Sequence, residues 1–150
     1  MAFFTSEYEC KLDAKGRLVL PAKIKANLPE ASNELTIMKG FDPNLVLYTE
    51  LEYKKMHHKF ASLSDFDSEQ RKLKRQFFSS VIHVELDSAG RFMIPKSYIA
   101  HAKLEKQVRV IGTGNTIEIW SPDLYDNFMI EDSEQYAEMA KKFLDTPSVE

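Results

Sequence analysis

The sequence predicts a β-rich α+β fold, built as two related lobes about an internal pseudo-twofold with helices packed on them. Three observations carry that prediction. A ten-residue stretch, LDAKGRLVLP at Leu12 to Pro21, returns as LDSAGRFMIP at Leu86 to Pro95. Each copy is followed by apolar runs of strand character, ELTIMKGFDPNLVLYTELEY from Glu34 to Tyr53 and QVRVIGTGNTIEIWSPDLY from Gln107 to Tyr125. The spacing is nearly constant, 74 residues from Asp13 to Asp87 and 72 from Tyr48 to Trp120, so the connections absorb a drift of two. A first lobe with its helix then occupies residues 1–62, a helical connector 63–80, and a second lobe with C-terminal helices 81–150.

Each copy reads as strand, polar Gly-Arg turn, strand, proline with a short linker, strand, turn, strand and helix. Cys10 sits in the first, alternating strand, where a small packed hydrophobe fits better than a reactive thiol. The turns KGFDPN and GTGN place Gly and Pro where strands reverse. Leu45 to Tyr48 is apolar on both faces, and contact between subunits is the simplest outlet for so much apolar area. Thr49 with Glu52 forms a capping-box pair, and Ser121 before Pro122 is a cap followed by proline, so both copies start a helix there. Leu51, Met56, Phe60 and Leu63 give the first of these an apolar face, and Leu124 and Phe128 begin the second.

Ser64 to Ser80 shows no counterpart of equal quality. Asp67 and Gln70 cap a helix there, with Leu73 and Phe77 expected inward and Arg71, Lys72, Lys74 and Arg75 outward. That basic run reads first as a solvated face and second as a phosphate or subunit contact. The last helix, around Tyr136, Met139, Ala140 and Phe143, is expected to pack on the body with an acidic outer face, and DTPSVE after it to fray.

Composition excludes several classes. The 43% hydrophobic and 29% charged residues are those of a soluble globular chain, and no apolar run spans a bilayer. The opening MAFFTSEYECKL has no signal-peptide pattern, and the single cysteine agrees with a reducing compartment. The net charge of −3 is unevenly spread: Glu118 to Glu150 holds nine acidic residues and two lysines, leaving +4 on what precedes it. Neither repeat offers a nucleophile with a base, and the histidines His57, His58, His83 and His101 lack metal-ligand spacing. GTGN is a hairpin turn rather than a phosphate loop. The expectation is a protein that is not an enzyme, with no metal, cofactor, small-molecule substrate or membrane span.

The Gly-Arg turns present a cation at a fixed place. Gly16 and Gly90 allow a tight backbone, and Arg17 and Arg91 leave it with a planar fork suited to guanine or phosphate. Ion pairs Asp13–Arg17 and Asp87–Arg91 that merely fasten strands fit the same residues, and both roles stand open at this level. Lys15 makes the first turn the more cationic, because Ala89 takes its place in the second.

With DAKGRLVLP and DSAGRFMIP set 74 residues apart, and LVLYTELEY and IEIWSPDLY behind them, nearly the whole chain resembles the MraZ family, duplicated relatives of the AbrB and SpoVT regulators. The resemblance implies swapped-hairpin lobes, a ring-shaped homo-oligomer, and a cytoplasmic, nucleoid-associated regulator of transcription. Its double-stranded DNA target would be short direct repeats in the promoter of the bacterial division and cell-wall gene cluster. It assigns DNA contact to Arg17 and Lys15, with Arg91 secondary and Lys11 beside them, and loop shaping to Asp13, Gly16, Asp87 and Gly90. The rival reading is a non-enzymatic ring-forming assembly factor with purely structural signatures. An antitoxin-like role fits less well, since the duplication spans the chain and leaves no long toxin-wrapping tail.

Overall fold

A computed structural model describes residues 3–29 and 33–145. The first half runs β1 (Glu7–Lys11), β2 (Arg17–Val19), α1 (Ala22–Ala26), β3 (Glu34–Lys39), β4 (Leu45–Tyr48), α2 (Glu50–Ala61) and α3 (Ser68–Ser79). The second repeats that order as β5 (Val81–Glu85), β6 (Arg91–Met93), α4 (Lys96–Ala102), β7 (Gln107–Gly112), β8 (Ile117–Trp120), α5 (Pro122–Phe128) and α6 (Ser133–Leu144). The stretch after each repeat's proline, read from sequence as a linker, is a short helix with Pro21 or Pro95 at its N-cap. The segment before Ser80 does have a counterpart: α3 and α6 both open on Asp-Ser-Glu-Gln, at Asp67 and Asp132, and each aspartate caps its own helix.

The halves are interleaved. Six strands form one antiparallel sheet in the order β1-β7-β8-β4-β3-β5, while β2 and β6 pair as a separate two-stranded ribbon. Each half therefore lends its first strand to the other half's hairpin, β1 to β7 and β5 to β3. Exchanging the halves reverses the strand order onto itself, so a pseudo-dyad passes between β4 and β8 and through the Leu18–Phe92 pair of the ribbon. This is the tandem swapped-hairpin architecture. Strand exchange removes edges that each hairpin would otherwise expose.

The sheet is covered on both faces. Leu35, Ile37, Leu45 and Leu47 point to the ribbon side and meet Leu18 and Phe92, with Ile24 and Tyr98 of the short helices closing that layer. Met38, Val46 and Tyr48 point the other way, onto Phe77 of α3 and Tyr53, Met56 and Phe60 of α2. On the second half Ile111 and Trp120 meet Tyr125 of α5. Each such large side chain contributes roughly 1.5–3 kcal/mol by leaving water. Cys10 is half-buried against the first cluster, and burial, with Glu9 beside it, pushes its thiol up, as suits a packing residue.

Four expectations are corrected. Leu45 to Tyr48 is buried on both faces within the chain itself, so it needs no subunit contact to cover it. Leu51 is exposed, and α2 packs through Tyr53, Met56 and Phe60 instead. Phe77 is inward but Leu73 is exposed, because the Phe60–Phe77 stack at 3.9 Å turns that edge of α3 to the sheet. Helix α6 does not pack on the body: none of its residues is buried, and Tyr136 and Phe143 are 65% and 63% exposed. Its predecessor explains this, since α5 has seven residues where α2 has twelve, and the chain turns extended at Met129. Residues 146–150, most of the stretch expected to fray, lie outside the described residues.

Candidate nucleic-acid interface

Both Gly-Arg turns are built around a carboxylate. Asp13 Oδ1 accepts from the backbone N–H of Lys15 (2.9 Å) and Arg17 (2.8 Å), and Oδ2 accepts from Arg17 Nε at 2.7 Å. In the second turn Asp87 Oδ1 accepts from the N–H of Ala89 and Arg91, both at 2.9 Å, and Oδ2 from Arg91 Nε at 2.9 Å. The backbone closes each turn, Gly16 N–H to Asp13 O at 3.0 Å and Gly90 N–H to Asp87 O at 2.9 Å. Gly16 and Gly90 lie at φ +82° and +78°, left-handed backbone that favours glycine. The arginine backbone N–H, then its side chain and the neighbouring N–H, hold Asp13 and Asp87 below the usual carboxylate range against a smaller desolvation effect.

The turns feed one ribbon. Arg17 faces Met93, Leu18 faces Phe92, and Val19 faces Arg91. Gly16, Leu18, Leu20, Gly90, Phe92 and Ile94 are buried, so the strand alternation leaves Arg17, Val19, Arg91 and Met93 as the outer face. The arginines of the two halves thus share one surface about a dyad.

Each aspartate engages its arginine through Nε, and among the described residues neither Nη1 nor Nη2 of Arg17 or Arg91 is taken by a hydrogen bond or ion pair, so that edge keeps its capacity to donate two parallel hydrogen bonds. Arg109 shows the contrast. Its Nε binds Glu9 at 2.8 Å and its Nη1 binds Asp126 at 2.9 Å, tying β1, β7 and α5 together. The strand-fastening ion pairs read from the sequence are therefore present, and at each turn the pair holds the guanidinium through Nε without occupying its fork.

Of the sequence candidates, Asp13, Lys15, Gly16 and Arg17 come together in the first turn, and Asp87, Gly90 and Arg91 in the second. Lys11 is exposed at the end of β1, one residue before the Leu12–Leu18 bridge. Lys25 is the residue sequence reasoning missed. Four residues after the first repeat in the chain, it crosses to the second turn, where its Cδ and Nζ stand 3.1 and 3.2 Å from the position a Cβ on Gly90 would take. At the equivalent place over Gly16 stands Ile99, 74 residues on. Each turn therefore carries one lysine, Lys15 from its own loop and Lys25 from the other half. The internal offset was the available signal, since it aligns Lys25 with Ile99. The Arg71 to Arg75 run is elsewhere: α3 packs on the sheet face away from the ribbon, and Arg71 and Lys74 bind Asp65 at 2.9 and 3.1 Å.

The family model of the MraZ protein, antitoxin-like in its description, matches this chain twice, over residues 3–76 and 77–145. A protein of Cytophaga hutchinsonii named transcriptional regulator MraZ is 50% identical over 145 residues, 96% of each chain.

Proposed function

Because the chain belongs to the MraZ family, we propose that it is a DNA-binding transcriptional regulator that works through the outer face of the β2–β6 ribbon. One observation carries the reading: two arginines on that face, each braced through Nε with its fork free. A two-stranded ribbon fits the major groove, where an arginine fork matches guanine O6 and N7. Lys15 and Lys25 flank the turns and Lys11 lies nearby, in place to neutralise phosphates. Asp13, Gly16, Asp87 and Gly90 shape the loops.

The target is double-stranded promoter DNA carrying short direct repeats, in the division and cell-wall gene cluster of a bacterium, and the protein works in the cytoplasm on the nucleoid. No helix among the described residues is long and apolar enough to cross a membrane. One ribbon makes few contacts, so repeats call for several subunits acting together. A homo-oligomer, in ring form, is supported by α6. Its uncovered Tyr136, Met139 and Phe143 run beside Glu134 and Glu138, and the surface we assign to them is α3 of a second copy, with exposed Leu73 between Lys72 and Arg75. A contact between different surfaces repeats from copy to copy and forms a ring where its rotation closes.

The deciding experiment titrates wild type, Arg17→Ala, Arg17→Lys and Arg91→Ala against promoter and scrambled duplexes, with fold and subunit number checked. Losing a bidentate base contact costs roughly 1–3 kcal/mol per site. Arg17→Lys keeps the charge but not the fork, so it should lose promoter affinity while retaining binding to scrambled DNA. Unchanged promoter affinity in Arg17→Ala, with assembly intact, removes Arg17 from the interface.

A further inference from the structure

We infer that Val19 and Met93 are specificity residues that read the 5-methyl groups of thymines next to the bases met by Arg91 and Arg17. The inference rests on the DNA-binding reading and adds to it a preference for particular bases. Along each ribbon strand the buried positions alternate with outward ones, and the outward set is only four side chains, two arginines and two apolar residues. Val19 is 49% and Met93 55% exposed, so neither is used by the core. A single exposed apolar residue is ordinary. These two, however, are dyad-related, and each stands directly across the ribbon from an arginine, Val19 from Arg91 and Met93 from Arg17.

Opposed residues in an antiparallel pair have their Cβ atoms roughly 4.5–5.5 Å apart, and base pairs are stacked about 3.4 Å apart. A guanidinium on one base pair therefore sets its apolar neighbour over the adjoining one or two. The thymine methyl is the apolar group that base edges offer in the major groove, and aliphatic side chains are its natural contact. Phosphate contact gives these side chains no role, since they donate no hydrogen bond and carry no charge. The turns also make their placement rigid: the Asp13 and Asp87 carboxylates lock the start of each strand, two residues before Val19 and Met93.

The test uses a duplex selected from random 20-base-pair DNA by the full-length protein, then resynthesised with deoxyuridine at one thymine at a time. Uracil pairs as thymine does and lacks only the methyl group. Wild type should lose roughly fourfold affinity at thymines beside the arginine-contacted guanines, the ratio that corresponds to one buried methylene-sized group. Val19→Ala should abolish that sensitivity at one thymine and Met93→Ala at another, with unchanged melting temperature and subunit number. Selected sites lacking thymine there, or wild type blind to every uracil, would overturn methyl reading while leaving DNA binding in place. Methyl sensitivity that persists in both variants would overturn the assignment to Val19 and Met93. A changed subunit number in either variant would make this face a protein contact instead. Failure to select any duplex over scrambled DNA would overturn the DNA-binding reading itself.

Discussion

Alanine at Gly16 and at Gly90 makes an internally controlled experiment, because the two turns share their Asp, Gly and Arg, their hydrogen bonding and their backbone angle but not what packs against the glycine. An L-residue at φ +82° or +78° costs roughly 1–2 kcal/mol. The less flexible unfolded chain offsets about 0.5 kcal/mol of that in both. At Gly16 the new Cβ would lie 3.1 Å from the Ile94 carbonyl oxygen, and Ile94 is held there by its own N–H bond to Gly16 O at 2.8 Å. At Gly90 the three atoms nearest to the same Cβ all belong to the end of the exposed Lys25 side chain, which can swing aside. Gly90→Ala should therefore cost about 1 kcal/mol and Gly16→Ala about 2. For a chain of this size each kcal/mol lowers the melting temperature by roughly 2–4 °C. Thermal melts followed by circular dichroism at one fixed protein concentration read the difference. Gly90→Ala melting at or below Gly16→Ala would refute the contact argument, and two unchanged melts would refute the backbone argument as well.

Lys15→Ala and Lys25→Ala should each weaken binding to every duplex and reduce the slope of log affinity against log salt by about one; a slope changed by Lys15→Ala alone would detach Lys25 from the interface. Met139→Asp with Phe143→Asp should shrink the particle seen by light scattering while moving the melting temperature of the body little, as no residue of α6 is buried. An unchanged particle size would free α6 from any part in assembly. Asp13 and Asp87 are held below the ordinary carboxylate range, so their stabilisation is complete above their unfolded values, near pH 4, and disappears as pH falls through the lower folded values. The Asp13→Asn, Asp87→Asn double variant should accordingly show a flatter fall of melting temperature with acid below about pH 4, and an acid limb as steep as wild type would contradict the turn geometry.

What the sequence determined by itself was local chemistry and its duplication. The Asp, Gly and Arg of each turn lie within five residues, so their carboxylate-to-amide bonds and left-handed glycine are properties of a short segment wherever it sits. The helix caps at Thr49 and Asp67 are equally local, accepting from the N–H three residues on. The strand order was implied only through the family likeness, because pairing of β1 with β7 joins residues about a hundred positions apart and no periodicity encodes a partner. Tertiary structure then decided which side chains meet. It carried Lys25 across to the second turn, put the Arg71 to Arg75 run behind the sheet, and merged two signatures into one ribbon face. It also left α6 uncovered: the sequence shows that a helix has an apolar stripe, but whether anything covers the stripe depends on the length and exit direction of the helix before it.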